Sequence, residues 1–224
     1  IRDTWKSRGP GDVYKRQDFD NADKALNFLN NLDPNKCLVK VGLELFISEG
    51  WKILDLISER GFEIFLDLKL HDIPNTVAKS IKKISNFNVA LTTVHLSGGM
   101  SMLEAACSEK GNIKILGVSI LTSLSQKEIF EITDINFDVY FNNLISIASS
   151  TNVDGVVCSP NELDRLEDFN KLKVVPGIRN DISDDDQKRV MTSTEAYHRG
   201  ADFIVVGRPI TKSEDPKKAL ELFI

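Results

Sequence analysis

One strand-like segment carries more charge than a buried strand usually does. Residues 65–69 (FLDLK) form an apolar run that includes Asp67 and Lys69, and a second lysine, Lys40, stands in the apolar run 38–42 (LVKVG). Aspartate and lysine are rarely buried unless they are paired or take part in chemistry. Side by side, the three side chains would form an array of alternating charge, which favours a functional site. The alternative is a satisfied ion pair with a structural role alone.

Two glycine-containing segments later in the chain have the residue types of an anion site. They are 175–179 (VPGIR) and 206–209 (VGRP), and each follows an apolar run. Gly207 lets the backbone approach a ligand closely, and Arg208 can grip two oxygens of a phosphate. Arg179 supplies a similar charge in the first segment. A helix-capping turn with a surface arginine is the alternative for this motif.

Other polar residues near these segments have simpler explanations. Asp72 precedes Ile-Pro, a position typical of a helix N-cap, and His71 beside it is expected to be structural or exposed. The run 184–186 (DDD) is expected to be a solvated loop, because carboxylates would repel a phosphate.

The elements that must position these residues follow from the alternation of short apolar runs with amphipathic stretches. Strand–helix alternation at this spacing predicts a parallel sheet with helical crossovers. The expected strands are 37–42, 62–69, 89–95, 113–120, 153–158, 172–176 and 202–207. The expected helices are 20–32, 43–60, 73–85, 99–109, 137–150, 160–168, 192–199 and 214–223.

Seven strands and eight helices are one strand short of a (β/α)8 TIM barrel, which is the fold that we predict. The missing strand would precede the helix at 20–32, so either residues 13–18 form a poor first strand or the true strand has been lost. Strand side chains alternate between faces, which would point Asp67 and Lys69 into the barrel near its C-terminal end. Barrel active sites lie at that end, and loops after the last two strands commonly bind phosphate there.

Length and composition set the wider frame. The chain has 224 residues, 42% of them hydrophobic, and no linker divides 18–224, which we expect to be a single domain. The net charge of −5 without a basic patch argues against nucleic acid, and no apolar run approaches the ~18 residues of a membrane span. Three scattered cysteines indicate reduced thiols in a cytoplasmic protein, and the histidines lack metal-ligand spacing.

Several ordered motifs together resemble the orotidine 5′-monophosphate decarboxylase family. They are LDLKLHDIPNT at 66–76, LTS at 121–123, DGVVCSP at 154–160, PGIR at 176–179, DQKRVMT at 186–192 and VVGRPI at 205–210. The D-x-K-x-x-D pattern alone is shared with sugar-phosphate decarboxylases and synthases, whereas the Ile-Pro-Asn-Thr continuation is specific to the orotidylate enzymes. The resemblance implies a homodimeric barrel, a carboxy-lyase that converts orotidine 5′-monophosphate to uridine 5′-monophosphate and CO2, the last step of de novo UMP biosynthesis, without metal or cofactor.

The resemblance also implies a role for each matched position. Lys69 would donate a proton to C6 of the pyrimidine, Asp67 would lie beside the departing carboxylate, and Lys40 would join the array and contact the ribose. The other implied contacts are those of Asp72 and Thr76 with the partner subunit's site, Thr122 and Ser123 with the base, Gln187, Gly207, Arg208 and Arg179 with the phosphate, and Asp18 with a ribose hydroxyl.

The chain departs from the family at its start. Residues 1–17 are polar where the family has an apolar first strand, and we hypothesise that they are foreign sequence joined to a truncated gene.

Two other functions stay open. One is a metal-dependent sugar-phosphate decarboxylase or aldolase-like enzyme of the same suprafamily. The other is a catalytically dead nucleotide-binding barrel. A barrel with a structural role alone is a further alternative, but it would have no need of Lys69 beside two carboxylates.

Overall fold

Eight parallel strands close into a barrel in the order of the chain. The computed structural model describes residues 13–17, 19–180 and 191–224, the first range by its backbone alone. Each strand pairs with the next, and the eighth pairs with the first. The strands are β1 (Val13–Gln17), β2 (Cys37–Gly42), β3 (Ile64–Leu70), β4 (Val89–His95), β5 (Lys114–Val118), β6 (Gly155–Val157), β7 (Leu172–Pro176) and β8 (Phe203–Val206).

Helices connect the strands. They are α1 (Ala22–Leu29), α2 (Leu43–Glu49), α3 (Lys52–Ser58), α4 (Pro74–Ile84), α5 (Met100–Ser108), α6 (Gln126–Thr133), α7 (Phe137–Ser150), α8 (Ser193–His198), α9 (Arg208–Thr211) and α10 (Pro216–Glu221), with 3₁₀ turns at Leu96–Gly98 and Pro160–Leu166. Among the residues that the structure describes, no helix combines the length and the apolar composition needed to cross a membrane.

The predicted TIM barrel is confirmed, and the seven expected strands lie where the apolar runs placed them. The expected helix 43–60 is two helices, because Gly50 ends α2 with a φ of +63°, a conformation that glycine adopts without strain. The expected helix at 160–168 is a 3₁₀ turn, and neither α6 nor the short helix α9 was among the expected helices.

A first strand is present, although its sequence is a poor one for a strand, which was the first of the two alternatives left open by the sequence. Residues Val13–Gln17 pair with β2 on one side and with β8 on the other, although their sequence (VYKRQ) is polar. Ladder hydrogen bonds join backbone groups, so a polar segment can close the barrel. The origin of residues 1–17 remains a hypothesis.

Two separate hydrophobic clusters flank the sheet. The larger one packs between strands and helices and includes Leu66. The smaller one fills the inside of the barrel and consists of Leu38, Phe65, Ala90, Leu91, Leu116, Val174 and Val205. Phe65 therefore faces inward and Leu66 outward, as the predicted alternation requires for the first half of β3. This inner cluster forms the base on which the charged residues further along β2 and β3 are placed.

Candidate active site

Three charged side chains meet at the C-terminal ends of β2 and β3. The Nζ atom of Lys69 lies 2.8 Å from both carboxylate oxygens of Asp67, and Nζ of Lys40 lies 3.2 Å from Oδ2 of the same residue. The register pairs Gly42 of β2 with Asp67 of β3. A Cβ at Gly42 would lie 3.2 Å from the Lys40 Nζ, so a glycine gives this lysine room beside the carboxylate. The predicted array of alternating charge is therefore assembled.

Burial makes the array electrostatically strong. The side chains of Lys40 and Asp67 are 7% and 11% exposed, whereas that of Lys69 is 36% exposed. Burial alone would raise the pKa of Asp67, but the charges of the two lysines and hydrogen bonds from Lys69 and Thr93 lower that pKa to about 2. Asp67 is therefore an anion at neutral pH, held between two cations.

An irregularity in β3 carries Asp67 and Lys69. Leu66 pairs with Thr92 and Leu70 pairs with Val94, so four steps along β3 match only two along β4. Within the bulge, Lys69 has a φ of +52°, which is uncommon for a residue with a side chain. Such bulges often redirect a side chain beside an active site, and here the bulged residues are the charged ones.

A cavity of about 580 Å³ opens at this end of the barrel, within the size range of small-molecule sites. Its base is apolar, and its charged residues stand on one side. The lining residues are Lys40, Gly42, Leu43, Glu44, Ile47, Phe65, Asp67, Leu68, Lys69, Val118, Ile120, Leu121, Thr122, Val157, Cys158, Pro176 and Val205. An apolar base with charges along one wall suits a flat ring that carries an anionic group.

The other predicted residues of the β3 and β5 loops divide into two groups. Thr122 lines the cavity, whereas Ser123, Asp72 and Thr76 are exposed and lie outside its lining. The prediction that Asp72 caps a helix is wrong by one position. Ile73 occupies the N-cap of α4, and an oxygen of Asp72 accepts the N–H of Ile73 at 2.6 Å.

The predicted phosphate residues lie just beyond strand ends that reach the cavity. Pro176 of β7 and Val205 of β8 line it. Gly207 is the N-cap of α9, and Arg208, the first residue of that helix, is exposed. The N–H of Arg179 donates to the carbonyl of Met191 at 3.1 Å.

Three predicted features lie outside the described residues. They are Asp18, Gln187 and the acidic run 184–186.

Sequence reasoning missed two residues around the array. Thr93 of β4 is fully buried and hydrogen-bonds to both Asp67 and Lys69. Its position on the inward face of β4 was the available signal, but a threonine in a strand is common enough to carry little information. His95, two residues further, has its pKa lowered by burial and by the charges of His71 and Lys69.

The side chains at this cluster do not suit a metal ion or a thiolate nucleophile. Asp67 is one carboxylate between two lysines, which repel a cation. In the part of the chain that the structure describes, no group of three potential metal ligands comes together. Cys158 lines the cavity, but burial raises its pKa, so it is a thiol and not a thiolate. The predicted absence of a metal stays a prediction.

A family model and relatives of known name match nearly the whole chain. A family model described as "Orotidine 5′-phosphate decarboxylase / HUMPS family" matches residues 17–223. A relative from Malacoplasma penetrans named orotidine 5′-phosphate decarboxylase is 43% identical over 216 residues, covering 92% of this chain and 94% of the relative. One of the same name from Laribacter hongkongensis is 41% identical over 211 residues, covering 91% and 87%.

Solved structures agree with the sequence matches. The orotidine 5′-phosphate decarboxylase from Lactobacillus acidophilus superposes with a TM-score of 0.85 at 35% identity, over 94% of this chain and 96% of that one. The enzyme of the same name from Thermotoga maritima has a TM-score of 0.74 at 27% identity, over 94% and 97%. With this barrel, this array and these matches over nearly its whole length, the chain belongs to the orotidine 5′-phosphate decarboxylase / HUMPS family.

Proposed function

We propose that this protein decarboxylates orotidine 5′-monophosphate to uridine 5′-monophosphate and CO2, a step of pyrimidine nucleotide biosynthesis. The observation that carries the proposal is the buried array of Lys40, Asp67 and Lys69 on the wall of the barrel cavity. The cavity has room for a nucleotide base above an apolar floor. Membership of the family favours this substrate among those that such an array could serve.

Lys69 acts on the carbon that loses CO2. Departure of the carboxyl group leaves a pair of electrons on C6 of the pyrimidine, and a nearby ammonium stabilises that charge as it develops. The same ammonium then supplies the proton that completes the product. Lys69 is the more exposed of the two lysines, with 36% of its side chain open, so its Nζ can reach a ligand in the cavity.

Asp67 acts on the group that leaves. It is ionised, since its pKa is lowered to about 2, and it lies beside the substrate carboxylate. Two anions repel each other at short range, and the repulsion disappears when the carboxylate becomes neutral CO2. Lys40 holds Asp67 in place from the β2 side at 3.2 Å and contacts the ribose.

The rest of the substrate is held by residues further out. Thr122 and Ser123 contact the base, and Asp18 contacts a ribose hydroxyl. Gly207, Arg208, Gln187 and Arg179 hold the phosphate, whose binding energy is used to fix the reacting ring. The position of Thr122 on the lining and of Pro176 and Val205 at the nearby strand ends supports this arrangement.

The active unit is a homodimer in which each site is completed by the partner. Asp72 and Thr76 are exposed and outside the lining of their own cavity, as expected for residues that serve a second copy. Three apolar residues lie exposed beyond the ends of the neighbouring strands β2 and β3. They are Leu43, Ile47 and Ile73, whose exposed fractions are 55%, 73% and 66%. Exposed apolar residues gathered at one end of a barrel favour an interface there.

Loss of orotidylate absorbance, followed with purified protein in the presence of a chelator, tests the proposal. We expect turnover by the wild type and a decrease of at least about 10²-fold in Lys69→Ala, because a general acid contributes on that order. Lys110→Ala is the matched control. Lys110 also lies 2.8 Å from a carboxylate, that of Asp154 before β6, but at the opposite end of the barrel. It should keep the wild-type rate.

The outcomes separate the competing functions. Equal rates for the wild type and Lys69→Ala would exclude the mechanism. Turnover of a sugar phosphate that stops with chelator would indicate the metal-dependent branch of the family. Binding of uridine 5′-monophosphate without any turnover of orotidylate would indicate a catalytically dead nucleotide-binding barrel.

A further inference from the structure

The Thr93 hydroxyl is used twice within the array. Its Oγ1 donates to Oδ1 of Asp67 at 2.9 Å and accepts the backbone N–H of Lys69 at 2.9 Å. The residue is 0% exposed, so water does not compete for either hydrogen bond. One side chain on β4 therefore contacts both charged residues of the bulge in β3.

The bulge needs such a contact because its ladder is interrupted. Between the pairs Leu66 with Thr92 and Leu70 with Val94, β3 has two more residues than β4, which removes regular pairing there. Lys69 also adopts a φ of +52°, which costs free energy in a residue with a Cβ and persists only when the surroundings hold it. The Thr93 oxygen takes the N–H of Lys69 in place of a ladder partner.

We infer that Thr93 is a positioning residue that fixes the backbone of Lys69 and the carboxylate of Asp67 for the reaction. The inference rests on the proposed function. Only a hydroxyl can accept one hydrogen bond and donate another from a single atom at this distance. Serine retains both capacities, whereas valine has nearly the same shape as threonine and has neither.

Steady-state kinetics on orotidine 5′-monophosphate test the inference with four proteins. We expect Thr93→Val to lower kcat by roughly 10- to 100-fold while KM changes little, because a small misplacement of reacting groups has effects of this size. Thr93→Ser should recover most of the rate. Thr92→Val is the matched control, since the Thr92 hydroxyl is equally buried but donates to the Leu66 carbonyl, outside the array. It should keep the wild-type kcat.

A structural measurement tests the inference without any substrate. Crystal structures of the wild type and Thr93→Val should differ in the Lys69 backbone or in the 2.8 Å separation between Lys69 Nζ and Asp67. Thr93→Ala replaces Thr93→Val if the latter does not fold. An unchanged bulge, an unchanged kcat in Thr93→Val, or an equal loss in Thr92→Val or Thr93→Ser would overturn the inference. A wild type without turnover but with a bulge that depends on Thr93 would reject the proposed function alone.

Discussion

At the scale of single residues, Asp67 is stabilised as an anion by what surrounds it. Burial opposes its charge, and the two lysines and the Thr93 hydroxyl more than offset that opposition, which lowers its pKa to about 2. The ordinary value for an aspartate is about 3.9. Because the folded pKa is the lower one, ionised Asp67 stabilises the folded protein fully above about pH 4, and the contribution is lost as the pH falls through about 2.

Asp67→Asn should therefore destabilise the protein in a pH-dependent way. At pH 7 we expect a loss of roughly 3 kcal/mol, because the change leaves buried lysine charge without its anion. Urea unfolding of both proteins between pH 7 and pH 3 measures the difference, which should shrink below about pH 4. Asp55→Asn, at an exposed helix position, is the control and should change little. A difference that stays constant down to pH 3 would contradict the stated electrostatics.

Residue-level prediction succeeded for charge and failed for hydrogen bonding. Asp67, Lys69 and Lys40 could be predicted because a charge inside an apolar run is rare and needs a reason. Thr93 could not, since its role depends on a bulge that leaves no signature in the sequence. Asp72 was expected as a cap by local pattern, but the helix begins one residue later than the pattern placed it.

At the scale of elements, β6 and β7 approach each other closely at Gly155. A Cβ on Gly155 would overlap the backbone carbonyl of Leu172 and lie 2.6 Å from the Leu172 Cβ. A Cβ on Gly117 of β5 would instead overlap the tip of the Leu96 side chain. Backbone atoms cannot move aside as a side-chain tip can, so the two glycines make different demands on their neighbours.

Alanine at these glycines should separate the two cases. Gly155→Ala should lower the free energy of unfolding by roughly 1–3 kcal/mol, and the loss should persist in a Leu172→Ala background because the carbonyl remains. Gly117→Ala should cost less in a Leu96→Ala background than in the wild type. Double-mutant cycles from denaturant unfolding measure both couplings. A relief of Gly155→Ala by Leu172→Ala would show that the backbone contact is not the cause.

Element prediction depended on how local the determinants are. The sequence 125–128 (SQKE) is typical of a capping box, and α6 does begin there, with the Ser125 and Glu128 side chains and backbones joined reciprocally within one turn, although the helix itself was not among those expected. The division of α2 from α3 at Gly50 was missed, since a glycine inside an amphipathic pattern is often tolerated. The 3₁₀ geometry of Pro160–Leu166 was likewise missed, because the local pattern there is typical of a helix.

At the scale of the whole molecule, the proposed sharing of sites predicts complementation. Asp72→Ala should lose far more activity than an exposed, locally hydrogen-bonded residue would explain, and so should Lys69→Ala. Mixing the two variants under conditions that exchange subunits should restore about a quarter of wild-type activity, because half of the dimers then contain one intact site out of two. The assay on orotidylate measures it. No recovery, with exchange verified by labelled subunits, would remove Asp72 from the partner's site.

The closure of the barrel was the least predictable feature of the fold. Seven strands followed from apolar runs, but β1 has a polar sequence, and its pairing with β2 and β8 uses backbone groups that every sequence shares. The division of the chain into residues 1–17 and a single domain at 18–224 stays a prediction. Sequencing the source DNA would test it, since a contiguous native frame through residues 1–17 would refute a foreign origin.

The bulge in β3 has an evolutionary consequence. Leu66 and Leu70 are both paired with β4, so the barrel's stagger is fixed on either side of the residues that carry the charges. Substitutions among those residues can alter the chemistry while the pairing of the other strands is preserved. Selection can thus change the reaction and keep the strand register, at a cost in stability wherever the change removes the charge of Asp67.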